Sequence, residues 1–245
     1  MAWNRVKKPV VASAVGLALI LSTIGAVQYL HGPDLVAGPA SRVVFVTLND
    51  GRKLHVQTRE VTVAQWQACH DAGQCSLDLS GAVKSVDYPA TGLSFVDAME
   101  YQRWLNASQT GQWRLPTSAE WHELAAEVLP EKPDPMFTDP SLTWPSTYLT
   151  DAKRTGRSLQ PSGAFTLTSQ GIEDLNGNVW EWTKDCYAGA SGQGETTAID
   201  KCPAYVMGGE HEAVMSYLVR DPARGGCAVG APPAHLGIRF VSDAS

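Results

Sequence analysis

The stretch YVMGGEHEAVMSY, residues 205–217, sets Met207, His211 and Met215 at spacings of four, and thioethers with an imidazole are a donor set for copper(I). That spacing lines up three side chains only on a helix, and Gly208-Gly209 opposes a helix through Met207. Met207 therefore reads as a core strand residue, and the sequence supports neither copper nor iron. Beside it, Glu210, His211 and Glu212 form a polar cluster and are the candidate catalytic residues. His122-Glu123 and His211-Glu212 each open an HExxH pattern, but the fourth following residues are Ala126 and Met215, so neither presents two imidazoles to zinc from one helical face. A Walker loop, a GxSxG elbow and a Rossmann fingerprint are all missing. In NGNVWEW, Asn178 and Glu181 offer hard oxygen ligands that backbone carbonyls at Gly177 or Val179 would extend to a calcium site. The competing reading pairs Glu181 with an arginine and has Asn178 hold the turn.

These side chains need a folded domain to place them, and the first question is where that domain sits. Of 245 residues, 44% are hydrophobic and 18% charged, with 22 Gly and 15 Pro, which fits one large domain or two small ones and excludes disorder and coiled coil. The net charge of −6 argues against nucleic acid as a partner. From Pro9 to Pro33 there is no Asp, Glu, Lys or Arg, and Val10 to Val27 is almost wholly aliphatic or small, a run of roughly 27 Å as a helix. Arg5, Lys7 and Lys8 in front of it keep the N-terminus cytoplasmic and send the rest of the chain across the membrane. Without those three the remainder carries −9. We therefore expect a cytoplasmic tip and transmembrane signal anchor over 1–30, spanning through 9–30, a linker over 31–41, and a domain over 42–245 in the periplasm or outside the cell. A cleaved signal peptide, cut near Gly38-Pro39-Ala40, is the alternative, and it too exports the domain.

Export makes local disulfides readable: Cys69 with Cys75 in CHDAGQC, and Cys186 with Cys202 across a Gly/Ser-rich stretch, leaving Cys227 over. Val43 to Leu48 is a β-branched run, and Asn49-Asp50-Gly51 is a hairpin signal before KLHVQ. Thr62 caps a helix that stops near Gly73, and a second helix runs from Ser94 to Asn106 with Phe95, Ala98, Met99 and Trp104 on its buried side. Thr117 and Glu120 have capping-box spacing for a third, whose apolar face is Trp121, Leu124, Ala125 and Val128. Pro130 to Pro161 reads as a long surface excursion, and Ile238 to Val241 as a last strand. Trp180 and Trp182 fall on one side of an extended chain, so both indoles can bury. Arg114 and Arg239 sit in mostly apolar motifs and should be buried, with Glu120 and Glu181 as partners. Arg114, Glu120, Trp121, Trp180, Trp182 and Arg239 are thus expected to be structural.

Three of these segments, RLPTSAEW (114–121), DLNGNVWEWTKD (174–185) and LGIRF (236–240), resemble the signatures of the sulfatase-modifying-factor family, whose founding activity is formylglycine generation. EVTVAQWQACHDAGQC (60–75) and YPATGLSFVDAMEYQRWLN (88–106) match its earlier segments in order, and the resemblance covers roughly Ser41 to Val241. It implies an irregular, loop-rich α+β domain related to C-type lectins, and it strengthens the calcium reading at Gly177, Asn178, Val179 and Glu181. It also implies two copper-binding cysteines, five and ten residues after the first glycine of a Gly-Gly-Ser turn. Here the turn is Gly208-Gly209-Glu210, and those positions hold Ala213 and Leu218, which cannot ligate copper or exchange a disulfide. The expectation is a noncatalytic accessory or maturation factor that binds an envelope protein or peptide. The alternatives are a metal-dependent oxidoreductase of the same family with different chemistry, and a lectin-like ligand-binding module.

Overall fold

Backbone hydrogen bonds assemble two sheets, and three short helices pack on them. The computed structural model describes residues 41–81, 85–131, 158–187, 202–210, 213–222, 227–229 and 234–244. The expected membrane segment and linker up to residue 40, most of the expected Pro130–Pro161 excursion, and His211 with Glu212 lie outside the described residues. Strand β1 (Val43–Thr47) pairs antiparallel with β2 (Lys53–Gln57) through the expected hairpin, where Gly51 takes φ 86° and Gly51 N–H donates to the Leu48 carbonyl. The first sheet has the order β1-β2-β9-β3, with β3 at Trp113–Arg114 and β9 at Val241–Asp243. The second has the order β7-β6-β5-β4-β8, with β4 at Trp180–Cys186, β5 at Ala204–Gly208, β6 at Val214–Ser216, β7 at Cys227–Val229 and β8 at Leu236–Gly237. Within it only β4 and β8 run parallel.

Each helix begins on a side-chain cap. Helix α1 (Val63–Asp71) starts at Thr62, α2 (Phe95–Ser108) at Ser94 and α3 (Ser118–Ala125) at Thr117. All three caps are reciprocal boxes, closed by Gln65, Asp97 and Glu120 respectively, so two otherwise orphaned amides are satisfied at each helix start. Helix α3 stops at Ala125, so Val128 lies beyond it and packs only partly against the core, and Met99 of α2 is likewise only partly buried. In their place Tyr101 and Leu105 fill the buried side of α2, with Tyr101 set between Trp66, Trp104 and Phe240.

The last expected strand is broken. Ile238, Arg239 and Phe240 separate β8 from β9, because this segment crosses from one sheet to the other: the Ile238 carbonyl accepts from Val61 N–H, the Phe240 carbonyl from Gln57 N–H, and all three side chains are fully buried. Both expected disulfides are formed, Cys69 to Cys75 and Cys186 to Cys202. Strand β4 is buried on both faces, with Trp182 donating its indole N–H to the Leu93 carbonyl at 2.8 Å and Glu181 facing the other way. Trp180 is only partly buried. Met207 is a core strand residue, as expected, and Met215 is buried in the same core from β6.

Gly208 and Gly209 are demanded by packing. A methyl group on Gly208 would overlap the Trp121 ring, and one on Gly209 the Trp180 ring. Gly209→Ala should therefore cost ~1–3 kcal/mol through overpacking, whereas Gly81→Ala, where nothing lies within 4 Å, should be near neutral. Urea unfolding of both variants checks this, and equal midpoints would show that Trp180 does not seat on the glycine.

Candidate functional site

The second tryptophan motif places a carboxylate in a fully buried position. Glu181 of β4 accepts from the Trp121 indole N–H of α3 at 2.8 Å through Oε2, and from Arg239 Nε at 2.9 Å and Nη2 at 2.8 Å through Oε1. Arg239 completes its donors on main-chain carbonyls, Nη1 on Gln57 at 3.0 Å and Nη2 on Glu173 at 2.8 Å. Glu181 belongs to the second sheet and Gln57 to the first, so the guanidinium bridges them while the indole adds α3. The expected pairing of Arg239 with Glu181 is thus present, and that of Arg114 with Glu120 is present as a bidentate contact at 2.8 and 3.0 Å. Arg114 also reaches Asp243 at 2.7 Å, and Arg52 makes a third cationic contact to Glu120.

Glu60 was not singled out in the sequence, yet it is the most unusual side chain of this node. It is fully buried, neither carboxyl oxygen has a hydrogen-bond partner, and Arg239 Nη2 stands 4.0 Å away. Burial pushes its pKa up to about 8, against the pull of Arg239 and with added repulsion from Glu181 and Asp174. Asp174, also missed, has φ 60° and accepts from the amides of Gly163, Phe165 and Thr166 and from Asn178 Nδ2, holding the loop that leads into β4. A further unforeseen pair is Asp97 with Arg220, at 2.7 and 2.8 Å. Only Ser94-x-x-Asp97, a capping-box spacing, marked Asp97 in the sequence.

The calcium ligand set does not fit this arrangement. Both Glu181 oxygens are held by Arg239 and Trp121, and Asn178 Oδ1 accepts from Gln160 N–H at 3.1 Å while its φ of 34° shapes the turn. A carboxylate already neutralised by a guanidinium has little to offer a cation. Among the described residues no group of three or more His, Cys, Asp or Glu is placed to hold a metal ion.

At the other candidate region, Met207 N–H donates to the Ala213 carbonyl across the Gly208-Gly209 turn. Ala213 is fully buried in the core, whereas Leu218 is 63% exposed beside Tyr217. The Tyr217 carbonyl accepts from Phe95 N–H and so places this turn at the start of α2. Glu210 is half-buried next to the glycines that Trp121 and Trp180 cover.

The model of the sulfatase-modifying factor enzyme 1-like domain matches residues 43–244, a span that includes both sheets, all three helices and the Glu181 node. The chain belongs to this family. Formylglycine-generating enzymes of Mycobacterium tuberculosis and Bos taurus are 28% and 27% identical to it, over 180 and 172 residues. Each match takes in 64% of this chain and only 58% and 44% of those relatives' lengths. PvdO from Pseudomonas aeruginosa superposes with a TM-score of 0.51 at 16% identity, over 84% of this chain and 92% of that one, and shares the fold.

Two carboxyls of this family domain should give stability opposite slopes with pH. Glu60 holds its proton in the fold up to about pH 8 but releases it near 4.5 when unfolded, so the folded state binds more protons between these values and stability falls as pH rises through them. Glu120 is the reverse: despite its burial, its bonds to Arg114 and to the Thr117 amide hold it near a pKa of about 2, so its contribution is lost as pH falls from 4.5 towards 2. Melting temperatures across this range should show the alkaline decline reduced by Glu60→Gln and the acid decline reduced by Glu120→Gln. An alkaline decline unchanged by Glu60→Gln would mean that Glu60 is ionised in the fold.

Proposed function

We propose that this chain is a noncatalytic member of the sulfatase-modifying-factor family, tethered to the inner membrane through residues 9–30, which binds an envelope protein or peptide and assists its maturation. The observation that carries this reading is the state of the two positions where the family resemblance puts copper-binding cysteines. Ala213 is closed into the core and Leu218 stands out in solvent. Neither side chain can ligate a metal or exchange a thiol. Cys69, Cys75, Cys186 and Cys202 are all committed to disulfides. The scaffold around this region is nevertheless complete, from the Arg239 node to the paired glycines, which supports retention of the surface after loss of the chemistry. Among the described residues, exposed apolar side chains gather here: Leu218 and Tyr217, whose carbonyl bonds to the start of α2, and Val96 of α2, 41% exposed, next to the Asp97–Arg220 pair. Apolar side chains grouped in this way suit contact with a polypeptide better than contact with a small polar substrate.

Two measurements test the two halves of the proposal. Full-length protein given copper(I), oxygen and a cysteine-bearing peptide should leave the peptide thiol unconverted, and an aldehyde product detected by mass spectrometry would overturn the noncatalytic assignment. A photo-crosslinking residue in place of Leu218, used in intact cells, should join the chain to one discrete envelope polypeptide whose maturation stops when this protein is deleted. Maturation of that polypeptide at the normal rate in the deletion strain, or no cross-link at all, would overturn the accessory role.

A further inference from the structure

The face of the first sheet that carries Trp113 and Ser242 is covered over β3 and β9 and loses its cover from His55 and Lys53 of β2 outward to β1, the edge strand. There Val43 is 42% and Phe45 56% exposed, two positions apart and so on one side of the strand. Their neighbours on β2 are polar and cationic: His55 is Phe45's register partner, with ring centroids 5.7 Å apart, and Lys53 holds its ammonium 5.9 Å from the centre of the Phe45 ring. The one acidic group of the hairpin turn, Asp50, is neutralised by Arg52 at 2.7 Å. The hairpin thus presents a small apolar ledge flanked by the Lys53 ammonium and the His55 ring.

Chain connectivity decides what such a ledge meets. β1 is the first described element after the apolar run, and twelve residues separate Leu30 from Val43, a span of at most ~45 Å when fully extended. A surface held that close experiences the bilayer at an effective concentration of about millimolar, so a contact too weak to recruit a free protein still stays formed. Phe45 and Val43 have the size and polarity to enter the headgroup and acyl boundary, and Lys53 has the charge to meet lipid phosphates.

We propose that the exposed face of the β1–β2 hairpin, centred on Phe45, Val43 and Lys53, docks on the anionic phospholipid surface and fixes the orientation of the domain on its membrane. This rests on the membrane tether of the proposed function. Docking by β1 holds the edge strand against lipid, out of reach of other strands, and sets the height of the rest of the domain above the bilayer.

The test uses the full-length chain in nanodiscs, with an environment-sensitive fluorescent amino acid in place of Phe45 or, as a control, in place of the 66%-exposed Leu167. In discs containing phosphatidylglycerol, nitroxide-labelled lipids should cause a roughly twofold loss of emission at position 45 and none at 167, as for a probe at the acyl boundary. Lys53→Glu should lower the docked-to-free ratio roughly thirtyfold, two charges' worth at an anionic surface, and phosphatidylcholine discs should weaken docking in the same direction. Equal emission at the two positions in a chain that resists alkaline extraction from membranes would overturn the docking and leave the tether standing. A chain released by alkaline extraction would overturn the tether and the docking with it.

Discussion

A charged pair taken out of water is stable only when its partners are in place, because the desolvation cost of several kcal/mol per ion is offset by close geometry and by hydrogen bonds to every remaining donor and acceptor. Arg239 and Glu181 are both fully buried, and their requirements reach across the molecule. Glu181 needs the indole of Trp121, which brings in α3; Arg239 needs the carbonyls of Gln57 and Glu173, which bring in β2 and the loop before β4. Arg239 lies in the break between β8 and β9, where the chain leaves the second sheet and Phe240 bonds to Gln57 of β2 in the first. Three segments far apart in the chain are thus bound to one another by a single ionic contact.

Packing alone accounts for the paired glycines of the turn before Ala213. The paired glycines that precede the Ala213 and Leu218 positions have a steric reason to be glycine that involves no substrate, because two tryptophan rings lie on them. One of those rings also donates to Glu181. Packing alone is therefore enough to require glycine at both positions of the turn, whatever stands at Ala213 and Leu218. The same logic accounts for Met207 and Met215, whose thioethers are core volume in β5 and β6.

Much of this was legible in the sequence because it depends on local rules. Ser or Thr followed three residues later by a carboxylate or amide marks a helix start, closely spaced cysteines in an exported chain mark a bridge, and an arginine in an apolar motif must find a carboxylate. What the sequence hid is long-range. Asp97 is matched to Arg220 across 123 positions, and Asp174 is filled by amides of its own loop, a pattern that no residue type announces. Glu60 opens the segment EVTVAQW like any surface acid, and only the fold reveals that both its oxygens are buried without partners. At Glu181 the sequence offered two readings, a hard oxygen ligand or an arginine's partner, and the fold forms the second, with Arg239 arriving from 58 residues later.

A double-mutant cycle on Glu181 and Arg239, followed by urea unfolding at about pH 6 where Glu60 remains protonated, addresses the node itself. Glu181→Gln and Arg239→Met should each cost ~3–5 kcal/mol, since either leaves a buried charge without its partner. The double variant should cost clearly less than the sum, with a coupling of at least ~2 kcal/mol. Single variants within ~1 kcal/mol of the parent, or costs that simply add, would show that the two sheets do not depend on this ion pair.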